Sequence, residues 1–210
     1  MPSVGRGMGE ERRPRGRVVR DNRPKGTQTV ALDGKKIAFL VAPEGIEQVE
    51  LTEPWKVVQQ GGGHPYLLAV GDVQQVQAFK HLDKADTFDV DLPVSRAGVE
   101  DYDGLVLPGG VANGDEVRAD PDAVAFAKGF LETGKPVAAI CHGGWVLVET
   151  DDVRGRRMTS WPSLKTDIRN AGAQWVDEEV VVDTNGPGPL ISSRKPDDLP
   201  AFTKALADAF

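Results

Sequence analysis

The stretch KPVAAICHGGWVLVE, from Lys135 to Glu149, holds the chain's single cysteine at the point where an apolar run stops. A thiolate is a strong nucleophile, and His142 directly behind Cys141 is a candidate general base. Gly143 and Gly144 follow, letting backbone and substrate come close. A small buried core residue would have no use for them. An apolar strand that delivers Cys141 to a sharp turn opening a helix presents the sulfur outward, in a strained backbone conformation. The first amides of that helix and its dipole favour the thiolate, so an apparent pKa below about 7 is expected instead of about 8.5. The same amides could hold an oxyanion formed by attack on a carbonyl. Adjacent side chains leave a backbone in different directions, so His142 either acts as the base or offers only its amide. His64 and His81 have no such setting and read as surface or packing histidines.

Two further segments carry groups of the right chemistry. APEGIEQVEL presents Glu44, Glu47 and Glu50. A carboxylate beside a thiolate would raise its pKa by repulsion, unless the acid keeps its proton and donates it to the sulfur. The competing reading is a solvated acidic helix start, which the helix dipole favours. LPGGVANGDE places Gly109 and Gly110 where backbone amides could meet an anion, or where a plain tight turn stands.

The elements that must position these groups alternate short apolar runs with helical stretches, the pattern of a parallel sheet covered on both faces. KKIAFLVA (35–42) reads as a buried first strand, and EQVELTEPWKVVQQGGG as a helix that Pro54 kinks or restarts. PYLLAV (65–70) is the next strand, and 73–92 reads as edge structure. YDGLVLPGG (102–110) is a strand entering a glycine turn. Asp120 caps a helix with Pro121 at its first position, stopped by Gly134. KPVAAI delivers Cys141, residues 179–194 form a hairpin, and an amphipathic helix closes the chain. Ligands of such a sheet collect beyond the carboxyl ends of its strands, where Cys141 and both glycine-rich and acidic segments fall.

Composition sets the bounds. The chain has 210 residues and a net charge of -7. Residues 1–30 carry eight Lys/Arg against three Asp/Glu, leaving about -12 for the remainder. A globular part so acidic argues against nucleic acid as its partner. Residues 1–32 are rich in Arg, Gly and Pro and are expected to form a disordered basic arm, with one domain over 33–210. No apolar stretch approaches the roughly 18 residues that span a bilayer, so no membrane partner is expected. One cysteine forms no internal disulfide and anchors no zinc site, so neither a metal nor a cofactor is expected and the compartment reads as cytoplasmic.

EGIEQVEL, LVLPGG, GKPVAAICHG, RGRRMTSWPSLKTDIRNAGAQWVDEEVVVD and ISSRKPDDL, in this order, resemble the PfpI intracellular-protease branch of the DJ-1 superfamily over about 35–210. The resemblance implies a three-layer α/β/α sandwich with a mostly parallel doubly wound sheet, flavodoxin-like or class I glutamine amidotransferase-like. It implies Cys141 as nucleophile, Glu47 as the protonated acid touching the sulfur, and His142 as the family's adjacent histidine. Gly110 and the His142 amide then match the oxyanion hole, with Gly109 and Gly143 beside it. It also implies an acid handed over by a neighbouring subunit to orient the histidine. NGDEVR places Asp115 there, with Glu116 as second choice, and Asp is shorter than the Glu expected. Gly144 and Trp145 stand where Pro and Gln commonly follow CHG, and Trp145 could narrow the pocket or restrict large substrates. The implied activity is a stress-response enzyme acting on small carbonyl compounds or their protein adducts, of glyoxalase or deglycase type. The alternatives are an intracellular cysteine peptidase and a non-catalytic redox sensor working through oxidation of Cys141. A homo-oligomer, most simply a dimer, is expected in each case.

Overall fold

The computed structural model describes residues 1–2 and 32–210. Apart from its ends, the basic arm expected over 1–32 lies outside the described residues. In chain order the elements are β1 (Lys36–Val41), β2 (Glu44–Glu47), α1 (Gln48–Gln60), β3 (His64–Ala69), β4 (Gln75–Lys80) and β5 (Asp83–Asp89). There follow β6 (Leu92–Pro93), β7 (Gly104–Leu107), α2 (Val111–Ala119), α3 (Pro121–Thr133), β8 (Val137–Ile140) and α4 (Gly144–Glu149). The last are β9 (Arg157–Met158), α5 (Lys165–Asn170), β10 (Gln174–Trp175), β11 (Val180–Asp183), β12 (Leu190–Ser193) and α6 (Leu199–Ala209).

Seven strands form the main sheet in the order β11-β12-β8-β7-β1-β3-β6, and only the β11–β12 pair is antiparallel. Strand β1 explains the layering. Its residues alternate faces, so Ala38 and Leu40 join one core while Ile37, Phe39 and Val41 join the other. The first core is closed by α2 to α5 through Val117, Phe126, Phe130, Leu147 and Ile168. The second is closed by α1 and α6 through Leu51, Val58, Phe202 and Leu206. The result is the three-layer, mostly parallel architecture that apolar runs buried on both faces require.

Local signals act as the residue types dictate. The Asp120 side chain accepts from the Ala123 amide at 2.8 Å with Pro121 at the first helical position, and Gly134 ends α3 at φ 76°. Such a cap contributes about 1 kcal/mol. Pro54 lies inside α1 without ending it. Of residues 73–92, read as edge structure, Leu92 joins the main sheet as the start of its edge strand β6. The rest stands apart: β4 and β5 pair with β2 in a separate three-stranded sheet over the carboxyl end of β1. NGDEVR lies within α2. Chain order reverses between β1 and β7, since β3 lies on one side of β1 and β7 on the other. The crevice of this sheet therefore opens at their carboxyl ends.

Candidate active site

Strand β8 runs straight into Cys141, which takes φ 59°, a left-handed conformation that costs a non-glycine residue about 1–3 kcal/mol. The turn is pressed tightly onto the neighbouring strand. A Cβ on Gly143 would collide with the Leu107 carbonyl, so this glycine serves packing and does not line the cleft. The bend brings Sγ of Cys141 to 3.2 Å from Nδ1 of His142. The far nitrogen, Nε2, lies 3.4 Å from Oγ of Ser163. The imidazole stacks on Trp161 at 5.8 Å and tilts against Trp145 at 4.9 Å. Trp145 is itself held by an Nε1–H bond of 2.8 Å to Asp167 and by Arg118 over its ring. Burial pushes the His142 pKa down to about 4, so the ring is neutral at pH 7 and free to accept a proton.

The acid beside the sulfur is Glu50, not Glu47. Glu47 is the last residue of β2, and its Oε2 accepts from the His81 amide at 3.0 Å. Glu50, one helical turn on, is fully buried, and its side chain interacts with the Cys141 thiol. Its Oε2 accepts from the Gly109 amide at 2.9 Å, while Oε1 is buried without a partner among the described residues. Burial first, then the charge of Glu47, raises its pKa to about 8. Glu50 is therefore a neutral acid at pH 7, able to donate a hydrogen bond to sulfur.

These surroundings also correct the expected thiol pKa. Cys141 is only 6% exposed. Burial and the neighbouring Glu50 push its pKa up, against the Gly110 and His142 amides, which hydrogen-bond the sulfur and pull it down. Removing a charge from water outweighs two amide bonds here. The resting group is a thiol.

The glycine turn divides its work. The Gly109 amide goes to Glu50 and so offers nothing to an anion, whereas the Gly110 amide faces the sulfur. Gly110 stands at φ 96°, and a Cβ there would strike the Gly45 carbonyl. Asn113, buried in α2, locks this turn to the end of β1: Oδ1 accepts from the Ala42 amide at 2.8 Å, and Nδ2 donates to the carbonyls of Pro108 and Gly109 at 3.0 and 3.1 Å. Gly114 lets α2 approach the elbow, since a Cβ would lie 2.6 Å from the His142 carbonyl.

Cys141 and His142 line a cleft of about 1190 Å³. Asp115 is exposed on α2 within this cleft, while the His142 ring has Ser163 as its partner. His81, read as a surface histidine, stands on the β4–β5 turn at the cleft's rim. Ser163 and Trp161 carried no signal in isolation. They reach the site because the Trp161 amide donates to the Cys141 carbonyl at 3.3 Å. Among the described residues no group of three His, Cys, Asp or Glu could hold a metal ion, and no helix is long and apolar enough to cross a membrane.

The profile of the DJ-1/PfpI family matches residues 35–209. The chain is similar to the protein named "Putative cysteine protease YraA" of Bacillus subtilis (strain 168), 39% identical over 81% of this chain and 95% of that one. It is 38% identical to "Uncharacterized protein SH1084" of Staphylococcus haemolyticus, over 82% of this chain and 95% of that one. Among solved structures, a two-domain Anabaena variabilis protein with DJ-1/ThiJ/PfpI-like and ferritin-like domains matches with a TM-score of 0.75 at 33% identity. That match covers 83% of this chain and 47% of the other, so this chain spans about half of that protein. Schizosaccharomyces pombe DJ-1 shares the fold, with a TM-score of 0.72 at 19% identity over 82% of this chain and 90% of its own.

Proposed function

This chain belongs to the DJ-1/PfpI family, and from that premise we propose that it is a cysteine-dependent enzyme acting on reactive carbonyl compounds or their protein adducts, of glyoxalase or deglycase type. The observation that carries the reading is the thiol of Cys141 lying 3.2 Å from a neutral imidazole and against a buried carboxyl that holds its proton.

The groups suit one sequence of steps. Sγ forms a bond to an aldehyde carbon as its proton passes to Nδ1 of His142, whose Nε2–H points to Ser163. The carbonyl oxygen takes up a proton and becomes the hydroxyl of a hemithioacetal. With a dicarbonyl substrate, Glu50 gives its proton to the neighbouring carbonyl oxygen and takes the hydrogen of the sulfur-bearing carbon, forming an enediol. It then delivers that proton to the neighbouring carbon and recovers one from the hydroxyl on the sulfur-bearing carbon, which becomes the carbonyl. This produces a thioester without net oxidation. Water hydrolyses the thioester to a 2-hydroxy acid and regenerates the thiol. Turnover of methylglyoxal and of a methylglyoxal-treated peptide, beside an unmodified peptide, tests the reading.

The second reading, cleavage of peptides by the same pair, is favoured by the openness and size of the cleft and by the likeness to YraA. A sensor that works by ready oxidation is disfavoured, because a thiol held protonated reacts slowly with peroxide. We also propose a homo-oligomer. Leu82, Val111 and Trp161 are large apolar residues left exposed at the rim of the cleft, where a second copy would cover them.

A further inference from the structure

Two indoles enclose the His142 ring. Trp161 stacks on it at 5.8 Å and is exposed at the rim of the cleft. Trp145 meets it at 4.9 Å, tilted by 59°. The place of Trp145 follows from the elbow. Cys141–Gly143 is a single 3-10 turn that runs directly into α4, so residues 142 and 145, three apart, lie on one face.

Three helices hold the Trp145 indole. Asp167 of α5 accepts its Nε1–H at 2.8 Å. The Arg118 guanidinium of α2 lies over its ring at 5.3 Å and is itself paired with Glu149, at the end of α4. The rest of the side chain packs against the core closed by α2 to α5. An indole whose N–H and face are both engaged cannot turn without losing both contacts.

The His142 ring needs such a wall. Its contact with Ser163, at 3.4 Å, is long for a hydrogen bond, and Ser163 is exposed. That contact alone would leave the imidazole free to rotate and to meet water. An aromatic face also attracts an imidazolium, yet the loss of water outweighs that attraction, since the pKa of the ring falls from 6.5 to about 4.

We propose that Trp145 is a positioning residue: tethered by Asp167 and Arg118, it keeps Nδ1 of His142 on the sulfur and keeps water off the ring. This rests on the reading of His142 as the base for Cys141. Asp167 acts through Trp145, and Trp145 acts through His142. The base then stays unprotonated in mildly acid solution, where a solvated histidine would already carry its proton.

The test reads the imidazole itself, so that it does not depend on turnover. Long-range proton–nitrogen spectra of the isotopically labelled protein carry the rings of three histidines, and His142→Gln identifies the signals of His142. In the native protein this ring should stay neutral from pH 5.5 to 9 with its proton on Nε2, because Nδ1 faces the thiol. Trp145→Ala should raise the titration midpoint by about one pH unit or more and mix the two neutral tautomers. Trp145→Phe, which keeps a ring but has no N–H, should do so less. Asp167→Ala, which leaves the indole in place without its tether, should move the midpoint in the same direction. Asp167→Asn keeps an acceptor and should resemble the native protein. The His64 signal, at the amino end of β3, reports any general unfolding. The acid limb of the kcat/KM profile should rise with the midpoint, since the base must be unprotonated to act. A midpoint and tautomer unchanged in either alanine variant overturn the inference, and so does a native His142 that titrates near 6.5. The expected shifts in a protein that turns over neither carbonyl compounds nor peptides support the inference and sink the proposed reaction.

Discussion

Nδ1 of His142 lies 3.2 Å from Sγ of Cys141, although the two residues are neighbours in the chain. The left-handed bend at Cys141 turns the two side chains toward one another, and the stacked Trp161 holds the ring there. The pair is thiol and neutral imidazole, since burial raises the one and lowers the other. Proton transfer therefore accompanies attack and does not precede it.

The alkylation rate of Cys141 should accordingly keep rising with pH up to at least about 8.5, the value of an ordinary thiol. Iodoacetamide kinetics from pH 5 to 9.5 measure this. A plateau near pH 6 to 7 would show a preformed thiolate and contradict the assignment of protonation states.

Glu50 leaves a signature in stability. Its pKa is raised from 4.5 to about 8 on folding, so the stability it contributes is complete below 4.5 and lost as pH rises toward 8. His142 runs the other way: its contribution is present above 6.5 and lost as pH falls through about 4. The two slopes oppose each other below pH 6.5, leaving 6.5 to 8 as the window for Glu50 alone. There the unfolding free energy should fall by up to about 1.4 kcal/mol per pH unit in the native protein. Urea titrations should show that decline weakened in Glu50→Gln, which keeps a donor but cannot ionise. An equal decline in both proteins would remove Glu50 from its role.

The order of two variants separates the candidate acids. Glu50→Gln should alter alkylation and turnover more than Glu47→Gln, because only Glu50 is buried against the thiol. The reverse order would reinstate Glu47.

Much of this was legible in the sequence, and the misses share a cause. Cys141 was readable because an apolar run ending in Cys-His-Gly-Gly leaves few structures open. Glu47 and Glu50 are separated by the boundary where β2 becomes α1, and a shift of that boundary by a residue or two decides which carboxyl points inward. In α2, Asn113 and Gly114 look like turn residues. They serve instead to tie the glycine loop to β1 and to let the helix reach the His142 carbonyl. Contacts between segments distant in sequence, such as Ser163 with His142, leave no local pattern to read.

Replacing the base should cost more than replacing its partner. His142→Gln should lower turnover by roughly 10²-fold or more. Ser163→Ala should cost about fivefold, as expected for one neutral hydrogen bond, and should broaden the pH profile's acid limb. Steady-state kinetics from pH 5 to 9 measure both. Equal losses in the two variants would mean that the ring does not accept the proton.

Assembly has its own measurement. Sedimentation at micromolar concentration should show a species of at least twice 22.6 kDa. A fully active monomer would contradict the covering of Leu82, Val111 and Trp161 by a second copy.

The most direct test of the account is turnover by the native protein and by Cys141→Ser, side by side on methylglyoxal, a methylglyoxal-treated lysine peptide and an unmodified peptide. The account expects the native protein to consume the carbonyl substrates, and the serine variant to lose at least about 10³-fold, since the much weaker acidity of a hydroxyl leaves the neutral imidazole unable to activate it. Undiminished turnover in Cys141→Ser would contradict the assignment of Cys141 as nucleophile.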